Sequence, residues 1–482
     1  MSDHPHSVAA AVIASVVDPG TFEAWDSPVV WEPLQPDYRS SLARARERTG
    51  CDESVITGSG RVAGHRLAMV ISEFGFLGGS IGHTAGSRVV AAIERATRER
   101  IPVLALPASG GTRMQEGTAA FLQMVAITGA VNAHKAAGLP YLVYLRHPTT
   151  GGVFASWGSL GHVTWAEPSA LVGFLGPRVY EGLYGEPFPE DVQTSENLHR
   201  RGLVDSVVPT DQLAGVVGAA LAVLSRKGTA DVHGLAVAEP APVSAPGCAA
   251  WDAVLATRAP DRPGLTELLE VDGAVVIRGD APLWLALHSF GGHPAVVIGH
   301  DRRAQAAGHL LGPTDLRVAR RGMALAADLD LPVVTVIDTP GAELSVAAEE
   351  SGLATEIARC TAELVSISVP TISVLLGQGA GGAALALFPA DRRIAATDAW
   401  LSPLPPEGAS IIVHRDTDHA AQLATDQGIA SYALYADGTV DVLVDMTVPD
   451  GMTRLRSAIA QELAAGPRCS DSSRTRVPGA RR

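Results

Sequence analysis

The sequence predicts an α/β fold in which one domain occurs twice. Three observations carry this. RIPVLALPASGGTR in the first half and DLPVVTVIDTPGAE in the second follow one pattern. Pro102 and Pro332, Gly111 and Gly341, Pro140 and Pro370, Gly151 and Gly381, and Gly152 and Gly382 all stand 230 positions apart, without a gap. Self-similarity at one offset marks an internal duplication. Short apolar runs also alternate with amphipathic stretches, as expected of strands covered on both faces by helices.

Each copy reads in the same order. A helical stretch leads to a Pro-led apolar strand, VLAL or VVTVI. A glycine turn follows, ASGGTR or DTPGAE, then a helix, then a second Pro-led strand, YLVYL or TISVLL. That strand runs to a glycine pair, TTGGVFAS or GQGAGGAALAL, where the chain turns helical again. The runs are too short for free-standing helices, and right-handed crossovers are expected between parallel neighbours.

Hydrophobic residues make up 46% of the 482, ample for two or more cores. Composition places an N-terminal domain over 1–230 and an Ala/Pro/Val-rich linker over 231–263, including AEPAPVSAPG. A C-terminal domain over 264–465 and a polar, disordered tail over 466–482 complete the chain. A net charge of −14 argues against a nucleic-acid partner. Cys51, Cys248, Cys360 and Cys469 form no CxxC motif and read as reduced thiols. MSDHPHSVAAAVIASVVDPG has no Lys or Arg ahead of its apolar stretch and makes a poor signal peptide. The run Leu213 to Leu224 is too short to span a bilayer, so a cytoplasmic protein with no membrane partner is expected.

The glycine pairs carry the chemistry. At a strand-to-helix junction the first helical N–H groups lack partners and attract negative charge. Glycine lets a ligand approach that backbone closely. Two N–H groups aimed at one point form an oxyanion hole, in which one lost donor costs ~3–4 kcal/mol. For a single pair, a tight turn or close helix packing explains the glycines better. Recurrence at one place in both copies, each beside a second glycine turn, favours two holes and two carbonyl oxygens that both become negative.

FGFLGGSIG, ASGGTRMQEG, TTGGVFASWGSLG, AEPSALVGFLGPRV and RRGLVDSVVP resemble the β subunit of the bacterial acetyl-CoA carboxylase carboxyltransferase. VVTVIDTPGAELSVAAEESG, GQGAGGAALAL and SPLPPEGAS resemble its α subunit. The resemblance runs from about Asp37 to about Val448 and suggests a β–α fusion. It implies two crotonase-like domains built of ββα spiral units. It implies that Gly151 and Gly152, supported by Gly110 and Gly111, face an acyl-CoA thioester; Arg113 and Glu116 in GTRMQEG read equally as groups that orient the substrate or the CoA tail and as a salt-bridged surface turn. Gly381, Gly382 and Ala383, supported by Gly341 and Gly379, would face biotin. In that mechanism carboxybiotin yields carbon dioxide and a biotin enolate, whose nitrogen removes the acyl α-proton. The thioester enolate then attacks carbon dioxide to give malonyl-CoA or an analogue, as in fatty acid biosynthesis. The motifs offer no side-chain base, and none is needed.

The resemblance also sets expectations for partners. Lys135 and Lys227 are the sole lysines, and neither lies in an Ala-Met-Lys-Met context. Biotin would therefore arrive on a carrier protein charged by a biotin carboxylase, and the working form would be a homodimer or larger homo-oligomer. The family's four-cysteine zinc ribbon is missing ahead of Cys51, so no zinc is expected. Gln378–Gly379 replaces the family's Glu-Gly. A malonyl-type thioester decarboxylase or biotin-independent carboxyl transferase, and a non-catalytic acyl-CoA or carrier scaffold, are the competing readings. The cluster Arg302, Arg303, Arg317, Arg320 and Arg321 reads as a solvated helix face before a CoA phosphate site. His162 and Glu167 read as structural, and Met114 and Met124 as core.

Overall fold

The computed structural model describes residues 7–29, 35–224, 250–269, 274–466 and Arg474. The chain divides into two compact units, Met1–Ala222 and Val223–Arg482. Each is built on one mixed sheet, and the two sheets share an order.

In the first unit the sheet opens with an antiparallel hairpin, Val55–Val62 against His65–Ser72. Its two-residue turn, Ala63 and Gly64, has positive φ at both positions, as the twist of a tight hairpin requires. Helix His83–Glu99 then crosses to the parallel strand Val103–Leu106. The helix buries Ala85, Val89, Ala92, Ile93 and Ala96, one face at helical spacing, against that sheet. Strands Tyr141–Leu145, Val163–Ala166 and Ser206–Val207 continue it in parallel. VLAL and YLVYL are buried at every position, because helices cover both faces.

The second unit repeats this. Its hairpin joins Leu283–Phe290 to His293–His300 through Gly291 and Gly292, both at positive φ. Helix Pro313–Leu329 matches His83–Glu99 end for end at the offset of 230, and both end on a left-handed residue, Arg100 and Asp330. Parallel strands Val333–Thr339, Thr371–Ala380, Arg392–Ala396 and Val442–Val444 follow. The duplicated, hairpin-plus-helix architecture is the expected one. The copies differ between the strands: a single helix, Gly117–Ala136, has two shorter ones in its place, Val346–Glu350 and Leu353–Ser366, parted at Gly352.

Part of the expected linker belongs to the second unit. Helix Ala250–Thr257 lays Ala250 and Val254 against Trp400, Ala380 and Ala424, and the Trp400 indole donates to Thr257 Oγ1 at 2.9 Å. Its alanines were read as linker composition, but they fit a close helix contact. Residues 231–249 lie outside the described residues, as does the expected tail apart from Gly466 and Arg474. Arg474 forms an ion pair with Asp391 at 2.8 Å. Among the described residues no helix is long and apolar enough to cross a membrane.

Candidate functional site

Equal register places the glycine turns in both units. Ser109 bridges to Thr149, and Thr339 pairs with Gly379, 230 positions on. Gly111 and Gly151 therefore each stand two residues beyond one register point, as do Gly341 and Gly381. Adjacent parallel strands deliver both turns of a copy to one end of the sheet.

In the first unit the turns touch. A Cβ on Gly111 would lie 3.4 Å from Gly152 N, and one on Gly151 would lie 3.3 Å from Gly110 O. Gly151 has φ +62 and opens the short helix Gly151–Phe154. Gly381 has φ +66 and opens Gly381–Leu385. Only glycine takes that conformation without strain.

The hydrogen bonds select among the expected donors. Gly151 N–H donates to Phe174 O at 3.0 Å, and Gly110 N–H to Gly78 O at 2.9 Å. Gly111 N–H donates to Ser109 Oγ at 3.0 Å. Gly152 N–H has no acceptor among the described residues. Of the two glycines expected to face the ligand, Gly151 has its N–H taken within the fold and Gly152 has its N–H free. In the second unit Gly341 N–H donates to Thr339 Oγ1 at 3.1 Å, while neither Gly381 N–H nor Gly382 N–H has an acceptor among the described residues. Gly341 lies open, with no atom within 4 Å of where a Cβ would stand, so a ligand has room at this turn. Ala383 is buried in the same helical turn.

Two expected substrate contacts are corrected. Arg113 has no exposed side-chain surface. Its guanidinium donates to both Glu53 oxygens, to Ser54 Oγ, to Ser80 O and Oγ, and toward Glu116 and Tyr38. No donor remains for substrate, and Arg113 instead ties the glycine turn to Glu53 and Ser54, at the start of strand Val55–Val62. Gly379 is a packing glycine: a Cβ there would stand 2.7 Å from Trp400 O of the neighbouring strand.

The remaining singled-out side chains have structural work. His162 Nδ1 accepts Tyr141 N–H at 3.0 Å, and Glu167 accepts His147 N–H at 2.9 Å. Arg302 donates to three backbone carbonyls, Arg303 pairs with Glu267, and Arg317 and Arg320 converge on the buried Glu356. Met124 is buried, but Met114 is 80% exposed, against expectation. Cys51 and Cys360 are buried free thiols, and burial pushes Cys360 up to about 12. Cys248 and Cys469 lie outside the described residues. Ser109 and Thr339 were missed from sequence, although they too stand 230 apart, two residues before a glycine.

Comparisons with known proteins agree in both halves. Residues 16–235 match the family described as carboxyl transferase domain, and residues 248–465 the family described as acetyl co-enzyme A carboxylase carboxyltransferase-like. The chain is 55% identical over 465 residues to a probable biotin-dependent acyl-coenzyme A carboxylase beta3 subunit of Mycobacterium tuberculosis (strain ATCC 25618 / H37Rv), covering 94% of this chain and 93% of that one. It is 37% identical over 479 residues to the acetyl-coenzyme A carboxylase carboxyl transferase subunits beta/alpha of Salinispora arenicola (strain CNS-205), covering 92% of this chain and 83% of the relative. The fold matches a transcarboxylase 12S crystal structure, a hexamer with methylmalonyl-coenzyme A and methylmalonic acid bound. The TM-score is 0.78 at 20% identity, over 96% of this chain and 90% of that one.

Proposed function

This chain belongs to the carboxyltransferase family of biotin-dependent acyl-CoA carboxylases, and we propose that its two glycine sites divide the reaction between them. It is an enzyme component that transfers a carboxyl group from biotin to an acyl-CoA. The observation that carries the division is the matched pair of free N–H groups, Gly152 and Gly382, each at a helix start beside a second glycine turn.

In this reading Gly152 N–H holds the thioester oxygen as it gains enolate charge. Gly151 keeps the turn in shape, and the Gly110–Gly111 turn walls the site. Gly382 N–H, with Ala383 behind it, holds the ureido oxygen of biotin. Gly341 leaves the space that the ring system needs. A preorganised N–H costs nothing to orient when the charge develops, which is why no side-chain acid or base is required. Biotin supplies the carboxyl group and the basic nitrogen; the chain binds, orients and stabilises.

Acetyl-CoA is the proposed acceptor and malonyl-CoA the product, with a biotin carboxylase and a separate biotinylated carrier as partners. Homo-oligomerisation is supported by exposed apolar side chains at equivalent places in both units. Met114 and Leu344, Phe174 and Leu404, and Leu183 and Val413 all stand 230 apart and are all exposed. Apolar surface of this kind is what a subunit interface would cover. The test mixes the protein with malonyl-CoA and reads acetyl-CoA by mass spectrometry, with and without a biotinylated carrier, after sedimentation has given the oligomeric state. Product that depends on the carrier is expected. Product without it would overturn the biotin-side assignment, and a monomer with full activity would overturn the oligomer.

A further inference from the structure

Asp338 lies three residues before Gly341 and is fully buried. One of its carboxylate oxygens accepts the Gln378 N–H at 3.0 Å, and Gln378 lies three residues before Gly381. A single carboxylate therefore pins both strands at the same distance from both glycine turns of the second unit. Arg262 holds that carboxylate. It pairs with Asp338 Oδ2, and its Nη1 donates to Leu376 O at 2.9 Å, on the strand that carries Gln378. Arg302 Nε stands 3.8 Å from the same oxygen. A Cβ on Gly377 would overlap both Arg262 and Asp338, so the glycine there makes room for the pair.

The polar chain runs on toward the open turn. The Gln305 amide donates to Asp338 O at 3.1 Å, and the Thr339 hydroxyl donates to Gln305 Oε1 at 2.6 Å. That same hydroxyl receives the Gly341 N–H. The duplication supplies an internal control. Subtracting 230 from 338, 378 and 305 gives Ala108, Pro148 and Gly75, which offer no carboxylate, no N–H and no amide. The first unit builds its turns without this device.

We propose that Arg262 and Asp338 are positioning residues that set the spacing of the Gly341 and Gly381 turns, and so govern the use of biotin apart from that of acyl-CoA. This rests on the reading of the second unit as the biotin side. A buried carboxylate paired to a planar guanidinium gives a fixed, directional link between two strand ends. Neither residue need touch the reactants.

The test uses the full chain with malonyl-CoA as carboxyl donor and free biotin as acceptor. The Asp338→Asn variant is expected to raise the biotin KM about tenfold or more while the malonyl-CoA KM stays within about twofold, since small misplacements of a binding group are costly. Amide exchange read by mass spectrometry should quicken over residues 377–384 and stay unchanged over 147–154. Should Asp338→Asn fail to fold, Arg262→Lys keeps the charge but loses the fork and serves the same two readouts. Equal changes in both KM values, or unchanged exchange over 377–384, would overturn the proposal. Absence of transfer by the wild-type protein would overturn the functional reading instead, and the exchange pattern would then decide the clamp by itself.

Discussion

The hydroxyl of Ser109 accepts the N–H of Gly111 at 3.0 Å, and so closes the turn that packs against Gly151 and Gly152. Thr339 closes the Gly341 turn in the same way at 3.1 Å. In each unit a hydroxyl takes up one glycine N–H and so shapes the turn beside the N–H groups left free, Gly152 in the first unit and Gly381 and Gly382 in the second. Ser109→Ala and Thr339→Val remove that acceptor. Each should lower kcat/KM about tenfold, or ~1.4 kcal/mol, in line with one lost hydrogen bond. Ser109→Ala should act through the acyl-CoA terms and Thr339→Val through the biotin terms. Steady-state kinetics with each substrate varied in turn checks this, and a shared effect on both substrates would count against it.

Gly151 and Gly381 occupy matching left-handed conformations, φ +62 and +66. A valine at either position forces the turn to rearrange and displaces the N–H that follows it. Gly151→Val and Gly381→Val should each lower kcat by about 10²–10³, the usual cost of a lost oxyanion donor. Thermal melting beside the rate measurement separates this from unfolding: a rate loss far larger than the modest fall in melting temperature that a strained φ brings is the expected pattern.

Arg113 and Glu53 form a buried pair with no exposed side-chain surface on either partner. Arg113→Met leaves the Glu53 carboxylate buried without its guanidinium, a loss of ~3–5 kcal/mol. Replacing both, Arg113→Met with Glu53→Leu, should recover much of it, because no charge then stays buried alone. Urea unfolding of the two variants decides. Equal losses would mean that the pair contributes through packing alone.

Three buried imidazoles contribute to the acid limb of stability. Burial holds His134 and His288 down to about 4 and His300 to about 3. An unfolded histidine titrates near ~6.5. The unfolded chain therefore binds protons first as pH falls, and stability is complete above that value and lost on the way down to the folded pKa. Each of these groups should contribute a slope of about 1.4 kcal/mol per pH unit between roughly pH 6 and 4. Urea midpoints across pH 4–8 test this, and His288→Phe should remove one such slope. A flat profile through that window would contradict it.

The legible parts of the chain were those with local causes. Val103–Leu106 and Tyr141–Leu145 read as strands because both their faces are buried, which leaves an apolar run and no helical period. Gly151 and Gly381 were legible because a positive φ admits few residues and the duplication showed the choice made twice. Arg113 was misjudged because its partner, Glu53, lies 60 residues away, and no local pattern foretells a buried ion pair over that span. Met114 was misplaced because methionine is usually a core residue, while here it is 80% exposed between the charged and polar Arg113 and Gln115. Helix Ala250–Thr257 was taken for linker because alanine-rich composition suits both, and only its fit against Trp400 and Ala380 separates them.

By itself the sequence determined the duplicated α/β plan, the offset that relates the copies and the two glycine turns in each, because apolar periodicity and glycine conformations act over a few residues. Tertiary structure decided which glycine N–H groups are taken and which are left free. It also turned Arg113 inward and brought Arg262 to Asp338 across 76 positions. Those outcomes depend on parallel strands meeting in one register, which sets partners far apart in the chain at hydrogen-bonding distance and is encoded by no single stretch.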